Sequence, residues 1–182
     1  MFKKARLKLT ASYLLTLARS KKSDIPIEFE EVSIAKTISV VVKKLERSAE
    51  AKHLSLVVRK EADALVFGNE RMLEQLFFNL IQNAISYTDV GSITVVISSS
   101  KTVNIEIIDT GIGIAQGEIE HIFEPFYKAD ASRSARSGGV GLGLAIVREI
   151  ADKHKGSLHI QSEPGKGTTI AVTLPLYEEI AS

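Results

Sequence analysis

The chain has 182 residues, of which 45% are hydrophobic and 25% charged, with a formal net charge of +1 and no cysteine. This composition is typical of one soluble globular domain and excludes disulfides and thiolate metal sites. It offers no basic excess for nucleic acid or a membrane surface, and no apolar run approaches the roughly 20 residues of a membrane span.

The first 32 residues predict a separate helix followed by a linker. Over residues 1–23, apolar residues from Leu7 to Leu17 recur at roughly helical spacing between basic residues, which indicates an amphipathic helix. Its apolar stripe would have to pack on the domain or on a second copy, which would give a homodimer. Residues 24–32 form the predicted linker, since Pro26 disfavours helix at its neighbours.

Residues 33–178 predict one domain of helices and strand pairs. Helices are predicted over 33–52, 69–88 and 141–155, the first two with Ser and Asn as N-caps. Short strands follow the first helix, two consecutive strands follow the second, and a hairpin around "PGKG" closes the domain. Because hairpins outnumber crossovers, we predict an α+β fold, a two-layer sandwich with an additional N-terminal helix.

Two glycine clusters, "DTGIGI" and "GGVGLGL", do not fit the common phosphate-binding loops. In the first, Gln116 occupies the place of the third glycine of a dinucleotide fingerprint. In the second, Leu144 follows where a P-loop needs lysine. The spacing also excludes the protein-kinase glycine loop, and the chain has no H-R-D triplet.

The clusters still predict a ligand site. Asp109 ends a predicted strand, where its carboxylate could accept a hydrogen bond from an exocyclic amine such as that of adenine. Gly111 and Gly113 would let a flat ligand approach the backbone, although the segment could equally be a simple turn. The second cluster leads into a helix whose N-terminus favours an anion, although it could also be a glycine-rich hinge.

Asn79 and Asn83 are four residues apart, hence on one face of an otherwise apolar helix. Buried amides cost stability unless they have partners, so each could be a satisfied core amide. For two in register, ahead of both glycine clusters, we favour a hard cation with phosphate oxygens. Mg²⁺ takes oxygen ligands and keeps several waters, so one amide oxygen plus phosphates suits it.

These residues resemble the ATP-binding catalytic domain of sensor histidine kinases, in the superfamily that also holds gyrase, Hsp90 and MutL ATPases. "NLIQNAISYT" resembles the N box, "DTGIGI" the first glycine box, "FEPFYKAD" the F box and "GGVGLGLAIV" the second glycine box. "GKGTTIAVTLP" is similar to the closing strand pattern, and the likeness covers about residues 28–177. The resemblance implies a Bergerat-type ATP-binding fold.

The resemblance also implies roles for single residues. Asp109 would bind the adenine amine of ATP, and Asn83 would hold Mg²⁺ with Asn79 beside it. Gly111 and Gly113 would shape the adenine pocket, and three further glycines would line the phosphates: Gly139, Gly141 and Gly143. Arg133 or Arg136 would contact the phosphates from a lid over the site. Phe123 and Phe126 would anchor that lid, although each could equally be a core residue.

Three positions depart from the pattern or decide between chemistries. Hydrolysing members of the superfamily carry a glutamate where this chain has Asn79, so the resemblance implies a kinase that holds ATP for another nucleophile. Ser86 stands where the family frequently has a lysine. Without that lysine, one charge-assisted phosphate contact of about 1.5–3 kcal/mol is missing. Val140 replaces a frequent threonine or serine.

The histidine that would accept the phosphoryl group is missing from the sequence. None of the four histidines precedes an acidic residue on a dimerisation helix, so we expect no catalytic residue of this kind here. "YLLTLARSK" resembles the end of the second dimerisation helix, and we therefore infer a chain without the phosphoacceptor helix. The implied partners are a phosphoacceptor histidine domain, on the same or a partner protein, and a response regulator.

The expected location is the cytoplasm, including the cytoplasmic part of a membrane-anchored sensor, with no membrane or nucleic-acid contact by the chain itself. Three alternatives remain open from the sequence. The domain could be an ATPase of the same superfamily, a serine kinase of that superfamily, or a degenerate module that binds a partner through its first helix. Phosphate release, the acid stability of a label and the absence of nucleotide binding would distinguish them.

Overall fold

A computed structural model of the chain describes residues 28–62, 64–128 and 140–177. The predicted N-terminal helix, and with it the predicted homodimer contact, lies outside the described residues. The same is true of three predicted phosphate-site residues: Arg133, Arg136 and Gly139. Within the described ranges, no helix is both long and apolar enough to cross a membrane.

The described residues form three α-helices: α1 (Ile34–Glu50), α2 (Glu70–Tyr87) and α3 (Gly143–Lys153). Both predicted N-caps are confirmed, because Ser33 Oγ accepts from Lys36 N at 3.4 Å and Asn69 Oδ1 from Met72 N at 3.0 Å. Helix α3 begins later than the predicted range 141–155, since Gly141 has φ of +77°, which no right-handed helix accommodates.

The strands of the described ranges are β1 (Glu30–Ser33), β2 (Ser55–Lys60), β3 (Leu65–Gly68), β4 (Ser92–Ser99), β5 (Thr102–Asp109), β6 (Ser157–Glu163) and β7 (Gly167–Pro175). Strands β1 and β3 pair antiparallel in a small sheet. The others form a sheet in the order β2-β4-β5-β7-β6, in which β2 and β4 are parallel and all other neighbours antiparallel. The predicted pairs β4–β5 and β6–β7 are confirmed as hairpins.

Strand β1 starts inside the range predicted as a linker. Residues 24–32 were assigned to it because of Pro26, but Glu30 and Val32 pair with β3, and Val32 is buried. The ordered domain therefore begins before Ser33.

The core lies between the large sheet and the three helices. One face of β4 and β5 presents six buried aliphatic side chains: Ile93, Val95, Ile97, Val103, Ile105 and Ile107. Residues at helical spacing on α1, α2 and α3 cover this face, and α2 packs between the other two helices. The arrangement confirms the predicted two-layer α+β sandwich, with its helices on one face of the sheet.

A buried histidine links helix α3 to helix α2. His154, just after α3, is 4% exposed and stacks on Phe29. Its Nδ1 donates to Ile150 O at 2.7 Å, and its Nε2 accepts from the backbone N–H of Asn69 at 3.0 Å, so the ring is neutral. The imidazole thereby connects the end of α3 to the start of α2.

We expect this histidine to make stability depend on pH. Burial holds the pKa of His154 below its usual range, and the nearby positive charge of Lys153 lowers it further. The hydrogen bond to the Ile150 carbonyl acts in the opposite direction but is outweighed. Below about pH 6.5 the unfolded chain takes up a proton that the folded chain refuses, so the free energy of unfolding falls as the pH drops further.

The non-titrating variant His154→Gln should show a flatter pH profile in urea unfolding between about pH 6.5 and 5. His159→Gln, at an exposed position on β6, is the matched control and should keep the wild-type slope. An identical slope in wild type and His154→Gln would contradict the neutral buried ring.

Candidate functional site

A cleft opens between the second half of α2, the end of β5 and the start of α3. Its open space, including the solvent at its mouth, is about 830 Å³. Its lining residues are Leu80, Asn83, Ala84, Tyr87, Ile107, Asp109, Ile112, Gly113, Ile114, Ile122, Tyr127, Lys128, Leu144, Thr168 and Ile170. The walls are mostly aliphatic, so the few polar groups among them determine how a ligand is oriented.

Asp109, the last residue of β5, supplies the one carboxylate among the described residues that line the cleft. Its Oδ1 accepts from Gly111 N at 2.8 Å and from Thr168 N at 3.2 Å. Burial raises the pKa of this carboxyl, and the two amide hydrogen bonds act in the opposite direction. Since both amides bond Oδ1, Oδ2 is the oxygen that can meet a ligand donor.

The first glycine loop is held between α2 and the β6–β7 turn. Ile112 N donates to Tyr87 O at 3.2 Å, and Gly165 N donates to Ile112 O at 2.7 Å. A Cβ on Gly111 would lie 2.5 Å from Tyr87 O, and one on Gly113 would lie 2.0 Å from Glu163 O. The glycines are therefore needed for close packing of backbone on backbone, whereas the sequence suggested close approach of a ligand.

The two asparagines of α2 lie side by side but have different surroundings. Asn79 is buried, and its Nδ2 donates to Gly143 O at 3.3 Å, which connects α2 to the first turn of α3. Asn83 is half-buried and lines the cleft. Asn79 thus links the two helices through its Nδ2, and Asn83 is the amide that lines the cleft. A nucleotide-binding role for either asparagine stays a prediction.

The second glycine cluster forms the turn into α3. Gly141 has φ of +77°, and a Cβ there would lie 2.7 Å from Tyr127 O, so only glycine fits. Its carbonyl accepts from Phe126 N at 2.8 Å, which joins the F box to this turn. Among the described residues no side chain caps α3, so its first amides are available to an anion.

The two F-box phenylalanines differ in their environment. Phe123 is 7% exposed, and the guanidinium carbon of Arg148 lies 4.7 Å from its ring centroid, a cation–π contact with α3. Phe126 is 61% exposed and has φ of +68°. Phe123 is therefore a core residue, whereas Phe126 projects from the F box toward solvent.

The sequence did not single out Thr168, Tyr127 and Lys128, which also line the cleft. Thr168 faces Asp109 across the β5–β7 ladder, and its Oγ1 lies 2.8 Å from Ser162 Oγ. The Tyr127 hydroxyl donates to Glu118, which holds the F box against the turn after β5. Lys128 contributes a cation, and its place in "FEPFYKAD" was the signal that could have identified it.

No cluster of three or more His, Cys, Asp or Glu suited to a metal occurs within residues 28–62, 64–128 and 140–177. A cation here would therefore need its other ligands from the bound molecule and from water. The amide of Asn83 on the cleft wall is compatible with such a shell, because Mg²⁺ accepts a single protein oxygen together with phosphates and waters.

With this geometry the chain can be compared with known proteins. The sequence profile described as "Histidine kinase-, DNA gyrase B-, and HSP90-like ATPase" matches residues 68–178. The chain belongs to this family. The resemblance inferred from the N, F and glycine boxes is therefore confirmed, and the domain has a histidine kinase-type ATP-binding fold.

Curated members of the family are similar over most of this chain. The sensor histidine kinase YclK of Bacillus subtilis is 37% identical over 164 residues, which are 89% of this chain and 35% of that protein. The sensor-like histidine kinase SenX3 of Mycolicibacterium smegmatis is 33% identical over 168 residues, or 91% and 44% respectively. The chain thus spans less than half the length of these relatives.

Solved structures confirm the fold. The mycobacterial sensor histidine kinase MprB superposes with a TM-score of 0.72 at 25% identity, covering 83% of this chain and 99% of that chain. Full-length ShkA, solved in complex with AMPPNP, superposes with a TM-score of 0.82 at 25% identity, covering 97% of this chain and 37% of ShkA.

We expect Asp109→Asn to weaken adenine binding. The asparagine oxygen can keep the amides of Gly111 and Thr168, which turns its NH₂ group toward the donor of the ligand. Loss of one charge-assisted hydrogen bond costs about 1.5–3 kcal/mol, or roughly tenfold to a hundredfold in Kd. Calorimetric titration with adenosine measures it, and Asp152→Asn, an exposed residue of α3, should leave Kd unchanged.

Gly113→Ala tests the packing of the loop independently of any ligand. The new Cβ would meet Glu163 O and would also strain a backbone with φ of +68°. We expect a loss of at least about 1–3 kcal/mol in the free energy of unfolding, measured with urea. Gly117→Ala, whose Cβ meets nothing within 4 Å, is the matched control and should be nearly neutral.

Proposed function

We propose that this domain binds Mg-ATP and presents its γ-phosphate to a histidine on another polypeptide segment. The observation that carries the proposal is the placement of Asp109 and Asn83 in one cleft, with Lys128 and the uncapped start of α3 beside them. An acceptor for an amine, apolar walls and groups that favour phosphate are thus combined in one site.

Adenine would occupy the apolar part of the cleft. Ile107, Ile112 and Ile170 would cover its faces, and Oδ2 of Asp109 would accept from its exocyclic amine. Thr168 would stand next to this contact, because its amide already holds Oδ1 of the same carboxylate. The carboxylate would select for adenine, since guanine presents a carbonyl in place of that amine.

The triphosphate would extend toward α3. The first amides of α3 and the Lys128 ammonium would offset its negative charge, and Gly143 leaves room for it beside Asn83. Asn83 would hold Mg²⁺ through its amide oxygen. The metal, when bound, supplies charge neutralisation at the phosphates, which is the main demand of phosphoryl transfer.

The inferred acceptor rests on the described residues that line the cleft, among which no free base stands ready to activate water. Asn79 stands where a glutamate would be needed, and its amide is bonded to Gly143 O. The carboxylate of Asp109 is held by two amides. A histidine nitrogen would therefore attack the γ-phosphorus, the bond to the bridging oxygen of ADP would break, and the imidazole proton would pass to solvent.

The test supplies the acceptor separately. The protein is incubated with Mg²⁺, ATP labelled at the γ-phosphate and a histidine-containing dimerisation domain from a sensor kinase relative. We expect acid-labile label on the added domain and none on this chain. Acid-stable label would indicate a serine kinase, and steady phosphate release without acceptor would indicate an ATPase; either result would overturn the proposal. A response regulator would be the next acceptor.

Asn83→Ala should remove the effect of Mg²⁺ on binding. In wild type we expect Mg²⁺ to tighten AMPPNP binding, and in the variant the Kd should be the same with and without the metal. The cost is about 1.5 kcal/mol or more, at least roughly tenfold in Kd. Gln82→Ala, an amide on the same helix outside the cleft, is the control. A Mg²⁺ effect that survives in Asn83→Ala would contradict the assignment.

A further inference from the structure

The C-terminal end of α2 is where the helix meets the first glycine loop. The Tyr87 carbonyl accepts from Ile112 N at 3.2 Å, and a Cβ on Gly111 would lie only 2.5 Å from the same carbonyl. Both Tyr87 and Ile112 line the cleft. The orientation of the peptide groups around Tyr87 therefore decides where the loop lies relative to a ligand.

These peptide groups are held from outside by Lys52, which lies in the turn between α1 and β2. Its Nζ donates to Ile85 O at 2.8 Å, to Ser86 O at 3.1 Å and to Thr88 O at 2.8 Å. An ammonium has three donors, so all of them are used by three carbonyls of one helix end. Two of these carbonyls flank that of Tyr87 directly.

The helix itself does not provide this charge. In α2, all of which is described, the last turn carries no basic residue, and the Ser86 hydroxyl donates back to Gln82 O at 2.7 Å. The last carbonyls of a helix lack intrahelical donors and carry a partial negative charge, which a cation stabilises. Asp89 lies 3.9 Å from the same ammonium, which is a looser contact than the three carbonyls make.

We propose that Lys52 is a positioning residue for nucleotide binding. It does not line the cleft, and it acts through the Tyr87 carbonyl on Ile112 and hence on the first glycine loop. This inference rests on the proposed function, in which that loop forms part of the adenine pocket. It predicts that Lys52 affects recognition of adenine and has no direct part in attracting the phosphates.

The experiment compares Lys52→Met with Lys52→Arg and with Lys44→Met. Lys44 is a surface residue of α1 that pairs with Glu74, so its loss changes net charge equally without touching α2's end. Two readouts are used: Kd for adenosine and for AMPPNP, titrated well below each melting temperature, and hydrogen exchange of the Ile112 amide in the ligand-free protein.

We expect Lys52→Met to weaken adenosine and AMPPNP by the same factor, about tenfold, and to speed exchange at Ile112 by a similar factor. Lys52→Arg, which keeps charge and donors, should recover most of both effects, and Lys44→Met should change neither. Should Lys52→Met fail to fold, Lys52→Gln, which keeps an NH₂ donor, takes its place with the same expected directions.

A lower melting temperature with unchanged Kd and unchanged exchange would reduce Lys52 to a stabilising cap and overturn the inference. Weakening of AMPPNP alone would also overturn it, because that pattern indicates long-range attraction of phosphate. If the wild-type protein binds neither ligand, the proposed function fails and the nucleotide role of Lys52 with it. Exchange at Ile112 then still decides whether Lys52 holds the loop.

Discussion

One carboxylate oxygen, Oδ1 of Asp109, joins the three segments that meet at the base of the cleft. Asp109 is the last residue of β5. Its Oδ1 accepts hydrogen bonds from the amide of Gly111, in the loop that follows, and from the amide of Thr168, in the neighbouring strand β7. Burial of the carboxylate is unfavourable, and the two amides offset part of that cost. Because Oδ1 is held in this way, the strand ladder sets the direction of Oδ2, the oxygen that would meet an amine in the proposed function.

The two asparagines of α2 differ in role because their surroundings differ. Asn79 has the same side chain as Asn83 and lies one turn away, yet its Nδ2 bonds α3 and it does not line the cleft. A single substitution at a structural position can therefore also decide chemistry, because an amide at position 79 supports the packing of α3 but cannot take a proton from water. Support for transfer to an external acceptor comes from this choice of side chain.

Local patterns in the sequence predicted the elements well, because amphipathic stripes, N-caps and hairpin turns depend on neighbours in the chain. Ser33 and Asn69 are caps for reasons visible within four residues. The partners that complete the site could not be read in this way. Thr168 meets Asp109 only through the β5–β7 register, and Lys52 reaches carbonyls more than thirty residues away. The sequence also did not show that backbone from distant segments fills the space beside Gly111 and Gly113.

Helices α2 and α3 are fastened to each other at two levels. Near the cleft, Asn79 bonds the first turn of α3, and at the far end the His154 ring bonds the amide of Asn69. The two attachments lie at different points along the helices, so together they fix both the spacing and the direction of α3 relative to α2. Because neither His154 nor Asn69 lines the cleft, the position of this wall depends in part on residues that lie away from it.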